Sequence, residues 1–450
     1  MLYRKIEESL VNWIRDGKKA LLVDGARQVG KTFTIRHVLE AENCDYIEFN
    51  LLQMPDLSDL LAKSATVDDM ITSLSLFTSK TFTKKKTILF LDEIQEFREL
   101  ATRIKFWVDD GSFRYVFSGS LLGIELQNIK SAPVGYLKTV TMYPLDFEEF
   151  LQIYHFTDEL KASLRHSFMK RSPVNETVHK RMMQIFNMYL NVGGMPAAVE
   201  HFRETRNLED VMSEHEDIVF QYKRDFTHYE KDDKKPYLTR IYDLIPAELN
   251  SCNKRFNYSD IKKGLGYERS EDNFIWLADA GVALPVYNVT APAVPLMLNE
   301  KSSLFKLFLS DVGMLTSLYG KAVKIELLSD HSDINNGSLY ENAVAQELKA
   351  HGFQLYYYNS KKFGELDFVI EYHGKVLPIE VKSGKSYQRH SALSNVMNTP
   401  NYSINEAFVL SNYNVEVVGK IIYYPIYMLM FIDQDAVKLP TVSLDDLSIL

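Results

Sequence analysis

The sequence predicts an α/β protein with a doubly wound parallel sheet near its N-terminus and a second α/β domain near its C-terminus. Three observations lead to this fold class. A glycine-rich loop lies between an apolar strand and a helical pattern at 20–39. A second apolar strand, 88–91, ends in two acidic residues. Near the C-terminus two alternating strands follow an amphipathic helix, which is the pattern of another compact α/β unit.

The composition is that of an ordinary globular protein. The chain has 450 residues, of which 46% are hydrophobic and 25% charged, which is enough apolar material for several cores. The net charge is −9, so any nucleic-acid surface must be a local basic patch. The charged N-terminal stretch does not have the pattern of a signal peptide, and two distant cysteines argue against a disulfide framework. We therefore expect a cytoplasmic protein.

The longest apolar run, 421–432, contains Pro425. A run of this length is too short to span a bilayer, which needs about 20 apolar residues. We predict a buried pair of strands here and no membrane span.

The glycine-rich loop has the pattern of a phosphate-binding loop. The letters GARQVGKT begin at Gly25 and fit GxxxxGK[ST] without a mismatch, in the strand–loop–helix context that argues against a chance glycine turn. Gly25 and Gly30 allow the backbone to curl so that N–H groups point at phosphate oxygens. Lys31 is expected to reach the β- and γ-phosphates of ATP, and the Thr32 hydroxyl to ligate Mg²⁺. The predicted nucleotide-binding residues are Gly25, Ala26, Arg27, Gln28, Val29, Gly30, Lys31, Thr32 and Phe33.

A second motif supports the first. The run 88–91 is fully apolar, as in a central strand buried on both faces, and Asp92 and Glu93 follow it. Because α/β sheets present their chemistry at the carboxyl ends of strands, we expect Asp92 to hold Mg²⁺. Glu93 is expected to polarise the attacking water as general base. Acids are common at strand ends, so this motif gains its meaning from the phosphate loop that precedes it.

Two further strands complete the predicted sheet. One runs from Phe113 to Ser118, and the other, 139–143, precedes a proline. Ser118 and Ser120 can touch the γ-phosphate or the attacking water, whereas the alternative is a plain serine–glycine turn. The candidates for an arginine that stabilises transition-state charge, each of which has a solvated side chain as its alternative, are Arg98, Arg103 and Arg114.

The middle of the chain shows two patterns. From 151 to 235 it is helical and rich in methionine and phenylalanine. From 236 to 325 a short helix, a turn, a longer helix and two strands predict a winged helix. The longer helix carries Glu268, Glu271 and Asp272, which are poorly suited to contact base edges. We therefore favour an internal or partner-docking role for this module over DNA recognition.

The C-terminal segment contains a spaced set of acidic residues and a lysine. Glu341 lies near the buried stripe of a predicted amphipathic helix. Asp367 lies on the following hairpin's first strand, and Glu380 and Lys382 share a face of its second strand because they are two residues apart. This order resembles the PD-(D/E)XK nuclease-like fold.

The residue types suit the chemistry that this resemblance implies. Asp367 and Glu380 can hold a second Mg²⁺ or Mn²⁺ as hard oxygen ligands, with Glu341 acting through water. Lys382 can orient or deprotonate a metal-bound water and stabilise phosphorane charge. The alternative is a charged hairpin with incidental pairs around a turn at 373–374.

Nearly the whole chain resembles the bacterial and archaeal AAA-type P-loop ATPases that carry a C-terminal domain of unknown function. The stretches that carry this resemblance include GARQVGKT, LDEIQEF, FSGSLLG, MYPLDFEEFL, YLNVGGMPAAVEHF, FKLFLSDVGML and GSLYENAVAQEL. The implied organisation is a P-loop AAA-type ATPase core at 1–150, a helical lid at 151–235, a winged-helix-like module at 236–325 and a nuclease-like domain at 326–450.

Two functional hypotheses follow, and both use ATP and Mg²⁺ as cofactors. In the first, an ATPase drives a C-terminal domain that cuts or grips DNA or RNA. In the second, the protein is an ATP-dependent switch or scaffold whose inactive nuclease-like domain binds nucleic acid or a protein partner. The complete set of Glu341, Asp367, Glu380 and Lys382 favours the first hypothesis, and the acidic charge balance favours the second. Either is compatible with an oligomer.

Overall fold

The chain divides into two compact units. A computed structural model describes residues 2–97, 99–119, 135–229, 235–251, 253–264, 266–328 and 336–434. The first unit comprises Met1–Phe156, Asn187–Pro285 and Leu307–Ser332. The second comprises Thr157–Phe186, Val286–Lys306 and Asp333–Leu450. The four-domain division with boundaries at 150, 235 and 325 stays a prediction.

Helices are distributed along the whole described chain. In chain order they are Ile6–Asp16 (α1), Lys31–Ala41 (α2), Pro55–Lys63 (α3), Val67–Leu74 (α4), Leu100–Asp110 (α5), Phe147–Leu151 (α6), Asp158–Lys170 (α7), Glu176–Val192 (α8), Pro196–Thr205 (α9), Leu208–Tyr229 (α10), Lys235–Leu249 (α11), Tyr258–Ile261 (α12), Tyr267–Asp279 (α13), Val312–Tyr319 (α14), Lys321–Glu326 (α15), Gly337–Ala350 (α16) and Ser391–Met397 (α17). Local sequence explains several starts. Thr66 and Asp69 form a capping box at α4, and Asp146 and Glu149 form another at α6.

A parallel sheet forms the centre of the first unit. Its strands are Ala20–Asp24 (β1), Tyr46–Asn50 (β2), Ile88–Asp92 (β3), Arg114–Ser118 (β4) and Leu137–Thr141 (β5). They lie in the order β2-β3-β4-β1-β5 and all neighbours pair in parallel. Parallel pairing brings the carboxyl ends of all five strands to one edge of the sheet. This confirms the predicted α/β fold, and β5 lies two residues earlier than the predicted 139–143 because Ala20 pairs with Leu137.

One hydrophobic core covers a face of this sheet. Buried side chains of α3, α4 and α5 pack against the apolar residues of β1 to β4. Trp107 of α5 stacks on Phe97 and Tyr115, with ring centroids 5.8 and 5.6 Å away. Since β1, β3 and β4 lie between other strands, most of their residues are apolar and buried.

A mixed sheet contains the remaining strands. They are Ala283–Val289 (β6), Glu300–Leu309 (β7), Tyr356–Ser360 (β8), Gly364–Tyr372 (β9), Lys375–Lys382 (β10), Ala407–Ser411 (β11), Glu416–Val418 (β12) and Ile421–Pro425 (β13). The order is β12-β13-β11-β10-β9-β8-β6-β7. His373 and Gly374 join β9 to β10 with positive φ angles of 51° and 73°, as a tight two-residue hairpin requires.

Three expectations about the second half of the chain need correction. The short helix α12 and the longer helix α13 lie where the winged helix was predicted, but Tyr287 of β6 pairs with Tyr356 of β8. The two strands assigned to a wing therefore belong to the mixed sheet, and the winged helix is not confirmed. Strand alternation predicts a strand but does not identify its partner.

The other two corrections concern the apolar run and the amphipathic helix. The run 421–432 is one strand, β13, followed by a 3₁₀ helix at Ile426–Phe431, so the predicted strand pair is wrong in its second half. Pro425 ends the ladder because it has no N–H to donate. The helix α16 is buried on every side from Ser338 to Leu348 instead of along one stripe. In the described ranges, no helix is long and apolar enough to cross a membrane.

Candidate functional site

The glycine loop after β1 adopts a backbone that few other residues permit. Gly25 and Gly30 have φ angles of 135° and 94°. A Cβ atom on Gly25 would lie 2.2 Å from the carbonyl oxygen of Met142, so only glycine fits there. Gln28, at φ 65°, is also left-handed. These angles curl the loop back upon itself before α2 begins at Lys31.

Lys31 is buried inside this loop. Its Nζ donates to the carbonyl oxygens of Gly25 and Ala26, at 2.9 and 2.7 Å. Its side chain leaves the residue only 8% exposed, and this burial lowers the pKa of Lys31 to about 8, with the carboxylates of Glu93 and Asp92 opposing the shift. Anionic phosphate oxygens are stronger acceptors for an ammonium than neutral carbonyls are. The loop thus buries a cation suited to a phosphate ligand.

Asp92 collects donors from the ends of neighbouring strands. Its carboxylate accepts from the Thr32 hydroxyl at 2.9 Å, from the Asn50 side-chain amide at 2.9 Å and from the Ser118 hydroxyl. Asn50, Asp92 and Ser118 end β2, β3 and β4, and Thr32 is in the first turn of α2. Parallel strands explain the meeting, because their carboxyl ends share one edge.

Thr32 and Asp92 fit a magnesium ion. Both present hard oxygen atoms, they lie within hydrogen-bond distance, and Asp92 is only 3% exposed. Mg²⁺ in nucleotide sites takes one or two such protein ligands and completes its shell with phosphate and water. The contact of Asn50 with Asp92 was not predicted, because the only signal in the sequence is a polar residue at the end of an alternating strand.

Glu93 lies beside this group in a strained conformation. Its φ of 56° is left-handed, and its Oε2 accepts from the Gln95 side chain at 2.5 Å. Backbone strain of this kind is concentrated at functional sites. The carboxylate is partly exposed, as a group that contacts water must be. Ser120 lies outside the described residues, so Ser118 is the described serine at this strand end.

The side chains of Arg27 and Gln28 turn towards the helix α10. Arg27 Nη1 lies 2.7 Å from Asp225 Oδ1, and Gln28 Nε2 donates to Gln221 at 2.5 Å. Tyr222 donates to the Arg27 carbonyl at 3.1 Å. The phosphate loop is therefore tied to one face of α10 by three contacts, which the sequence did not predict.

The other predicted loop residues differ in their burial. Ala26 and Val29 are buried, whereas Phe33 is 61% exposed and points away from the core.

The buried Arg4 also contacts the loop, although the sequence did not predict this. Its guanidinium donates to the carbonyl oxygens of Val29 and Tyr143, at 2.8 and 2.5 Å. Arg4 thereby fixes the loop against the segment after β5.

The two arginine candidates within the described residues contact backbone carbonyls. Arg103 donates to Ala62, and Arg114 donates to Ile14 at 2.6 Å. Arg114 also lies over the Trp13 ring, 5.5 Å from its centroid. These contacts hold elements of the first unit together. Arg98 lies outside the described residues.

A second polar cluster lies in the second unit. The β9–β10 register pairs Phe368 with Ile379, so its continuation places Asp367 opposite Glu380. Asp367 accepts from the Val381 N–H at 2.9 Å, and Lys382 Nζ lies 3.2 Å from Glu380 Oε2. Burial, with Asp367 next, raises the pKa of Glu380 well above its usual range, which favours a hydrogen bond from Glu380 to Asp367.

Glu341 is linked to this cluster by a buried lysine whose role the sequence did not predict. Lys306 of β7 is 1% exposed, and its Nζ lies 2.7 Å from Glu365 Oε1 and 3.7 Å from Glu341 Oε2. Glu341, Glu365 and then Asp367 raise the pKa of Lys306 despite its burial. The signal in the sequence was a lysine inside the otherwise apolar strand FKLFL.

The predicted second metal site does not fit this arrangement. In the described part of the chain, no three or more His, Cys, Asp or Glu side chains are grouped so that they could hold a metal ion. Asp367 is occupied by the Val381 N–H, and Glu341 faces an ammonium. The acidic residues do lie together, but the cations among them are Lys306 and Lys382.

Family models match three consecutive parts of the chain. Residues 17–151 match the AAA domain model called AAA_14. Residues 17–151 are an AAA-type P-loop ATPase domain. Residues 183–324 and 336–428 match two domains of unknown function, DUF8612 and DUF4143. The AAA resemblance is thus confirmed, whereas the nuclease-like nature of the C-terminal domain is not shown.

Solved structures are similar at low identity. A Walker-type ATPase of Pyrococcus abyssi is 16% identical, with a TM-score of 0.41, over 71% of this chain and 96% of that one. Cdc6p from Pyrobaculum aerophilum is 12% identical, with a TM-score of 0.24, over 72% and 94%. AMPPCP-bound DnaA from Aquifex aeolicus is 10% identical, with a TM-score of 0.28, over 60% and 86%. No curated protein matches the chain in sequence. The assignment of the ATPase domain rests on the family model.

Proposed function

We propose that the protein binds and hydrolyses ATP with Mg²⁺ and uses the nucleotide to switch a C-terminal domain that binds nucleic acid. The observation that carries the ATPase proposal is the Asp92 carboxylate, which joins the Thr32 and Ser118 hydroxyls beside the buried Lys31. A phosphate ligand with its associated Mg²⁺ would use both the buried ammonium and the buried carboxylate at this sheet edge.

Each residue then has a role in hydrolysis. The loop N–H groups and Lys31 bind the phosphates, and Thr32 and Asp92 would hold Mg²⁺, which would neutralise charge on the phosphate oxygens. Glu93 accepts a proton from the attacking water as its oxygen forms a bond to the γ-phosphorus and the bond to ADP breaks. Ser118 orients the Asp92 carboxylate by donating to it.

The contacts of Arg27 support a switch. Its guanidinium is neutralised by Asp225 of α10, and the phosphates of ATP compete for the same cation. Loss of the Arg27–Asp225 pair would loosen α10 when ATP binds. We expect amide hydrogen exchange around Tyr222 and Asp225 to increase when ATP is added, and no change there would contradict the switch.

The ATPase proposal is tested by two substitutions and a control. Lys31→Ala is expected to abolish ATP binding. Glu93→Gln is expected to keep ATP binding and lower kcat by ~10²–10⁴-fold, the usual contribution of a general base. Lys18→Ala, which removes an exposed lysine outside the loop, serves as the charge control. Unchanged hydrolysis by both Lys31→Ala and Glu93→Gln would overturn the assignment.

The nucleic-acid proposal rests on a basic edge of the second unit. Lys361 and Lys362 precede β9, and Lys385 and Arg389 follow β10. Because β9 and β10 are antiparallel, these four exposed side chains lie at the same end of the hairpin. In the described chain, none of the four has a carboxylate within ion-pair distance, so their charge is available to phosphates.

Aromatic side chains accompany this basic edge. Tyr387 and Tyr413 stack with their ring centroids 4.1 Å apart, and Tyr413 is 38% exposed. Stacking rings beside cationic side chains are the features that bind single strands without sequence preference. We therefore favour single-stranded DNA or RNA over a protein partner.

Binding is measured by the fluorescence anisotropy of a labelled single-stranded oligonucleotide. Lys361→Ala combined with Lys385→Ala is expected to weaken binding by ~10-fold and to reduce its salt dependence. Lys375→Ala with Lys420→Ala removes two exposed lysines from outside this edge as the matched control. Equal effects of the two pairs would contradict the proposed surface, and binding only of a protein partner would favour the scaffold.

Metal-dependent cleavage of nucleic acid is the second candidate function. The convergence of Asp367, Glu380 and Lys382 at one end of two adjacent strands favours it. Because the residues as arranged do not fit a divalent ion, we derive no cleavage step. Cleavage of plasmid or single-stranded DNA with Mg²⁺ or Mn²⁺ that is lost in Asp367→Ala would establish this function in place of binding alone.

A further inference from the structure

The acidic cluster of the second unit has an internal cation. Four carboxyl groups and two ammonium groups interact in it, and the members are Lys306, Glu341, Glu365, Asp367, Glu380 and Lys382. Three of them, Lys306, Glu341 and Glu380, are each no more than 3% exposed. Water therefore does little to screen their charges, and the cluster must balance them internally.

Lys306 is placed at the centre of that balance. Its Nζ lies 2.7 Å from Glu365, 3.7 Å from Glu341 and 5.1 Å from the centroid of the Tyr357 ring. These partners come from β9, α16 and β8, while Lys306 comes from β7. An ammonium buried this completely is costly unless carboxylates pair with it. Four separate elements thus converge on one positive charge.

Two further carboxyl oxygen atoms of the cluster have partners inside the protein. Asp367 Oδ2 accepts from the Val381 N–H at 2.9 Å, and Glu380 Oε2 faces Lys382 at 3.2 Å. A hard divalent ion requires several oxygen atoms that converge on one point. In the described residues the structure contains no such group, which disagrees with the metal site that the residue order predicts.

We propose that the Lys306 ammonium is the resident cation of this cluster and excludes Mg²⁺ and Mn²⁺ from it. The acidic charge at the hairpin end is then partly neutralised by Lys306 and Lys382, and a phosphate backbone binds beside it without being cut. This inference goes beyond the ATPase proposal and does not depend on it. It deepens the nucleic-acid proposal, because it explains how acidic residues coexist with a neighbouring basic edge.

Mn²⁺ binding to the full chain tests the proposal. Free Mn²⁺ is followed by electron paramagnetic resonance without nucleotide, in an Asp92→Asn background that removes the metal ligand of the first unit. With Lys306 present, we expect no site tighter than ~1 mM, the weak end of protein sites for hard cations. Lys306→Met is expected to bind Mn²⁺ at least ~10-fold more tightly, and Asp367→Asn added to it to abolish that gain.

Two outcomes would overturn the proposal. One is a submillimolar Mn²⁺ site in the Asp92→Asn protein that disappears on adding Asp367→Asn, because a metal would then bind despite Lys306. The other is a folded Lys306→Met protein that gains no site. If Lys306→Met does not fold, the Asp92→Asn and Asp92→Asn/Asp367→Asn comparison decides alone. The result is separable from the nucleic-acid proposal, because anisotropy with the oligonucleotide is measured on the same proteins.

Discussion

Lys31 and Lys306, two of the buried lysines among the described residues, differ in what balances their charge. Lys31 donates to two neutral carbonyl oxygens, and burial lowers its pKa to about 8. Lys306 lies between the carboxylates of Glu341 and Glu365, which raise its pKa even though it is more deeply buried. Lys31 is near the carboxylates of Glu93 and Asp92 but hydrogen-bonds to neutral carbonyls, whereas Lys306 is in ion-pair contact with Glu365 and Glu341. We therefore propose that the Lys31 ammonium is available to a phosphate ligand and that the Lys306 ammonium is not.

The largest expected difference between the two lysines is in ATP affinity. Lys31→Met removes hydrogen bonds from a charged donor, worth about 1.5–3 kcal/mol each, so loss of two weakens ATP binding by at least ~100-fold. Lys306→Met is expected to change it by less than ~3-fold. Calorimetric titration with ATP and Mg²⁺ measures both. Comparable losses in the two variants would mean that Lys31 acts through stability instead of ligand contact.

The pairing around Lys306 is sharpened by a double-mutant cycle. If Glu365 balances this ammonium, Glu365→Gln reduces the destabilisation that Lys306→Met causes, with a coupling of about 1–3 kcal/mol. The free energy of unfolding in urea gives each term of the cycle. Glu406→Gln, at a surface pair with Arg171, supplies a control with coupling to Lys306→Met near zero. Additive effects of Lys306→Met and Glu365→Gln would contradict the pairing.

The lowered pKa of Lys31 predicts a pH dependence of ATP binding. A phosphate ligand binds the protonated amine and raises its pKa, so affinity is highest below the free-state pKa of about 8. Between pH 8 and 9.5 the affinity is expected to fall by up to ~10-fold per pH unit, because the free protein has lost the proton that the complex holds. Titrations at fixed ionic strength from pH 7 to 9.5 measure this. An ATP affinity that does not change between pH 7 and 9.5 would contradict the lowered pKa of Lys31.

The smallest expected effect concerns the tie between the phosphate loop and α10. Asp225→Asn removes the negative charge of Asp225 from beside Arg27, and a stronger positive charge near the phosphates should tighten ATP binding by ~2–5-fold. Asp243→Asn, which breaks the pair of Asp243 with Lys223, is the matched control and is expected to have no effect on ATP affinity. Weaker ATP binding in Asp225→Asn would show that the pair preorganises the loop instead of competing with ATP.

The two sites also differ in how far the sequence predicts them. Lys31, Thr32 and Asp92 could be predicted because a loop of fixed spacing and the end of an apolar strand are local patterns. Lys306 could not, since its partners lie on α16 and β9, and the apolar segment FKLFL around it shows only one charged residue. Arg4 was missed for the same reason, because its contacts join distant segments.

The larger architecture follows the same division. Four of the five parallel strands of the first unit, all except β2, were predicted, and their positions agreed with the structure apart from that of β5. The pairing of β6 with β8 was not predicted, because the alternation of apolar and polar residues along a strand carries no information about which strand pairs with it. The features of both sites that the sequence did not predict therefore depend on contacts between residues that are distant in sequence.

The unfolding free energies of Lys31→Met and Lys306→Met, measured without nucleotide at pH 7, test the central contrast most directly. Lys31→Met removes a buried charge whose loss of hydration outweighs the attraction of the Glu93 and Asp92 carboxylates, so we expect it to stabilise the protein by up to ~3 kcal/mol. Lys306→Met removes the positive charge beside buried carboxylates and is expected to destabilise the protein by about 3–5 kcal/mol. Changes in unfolding free energy of opposite sign would support a ligand-binding role for Lys31 and a stabilising role for Lys306. Two destabilising changes of similar size would contradict it.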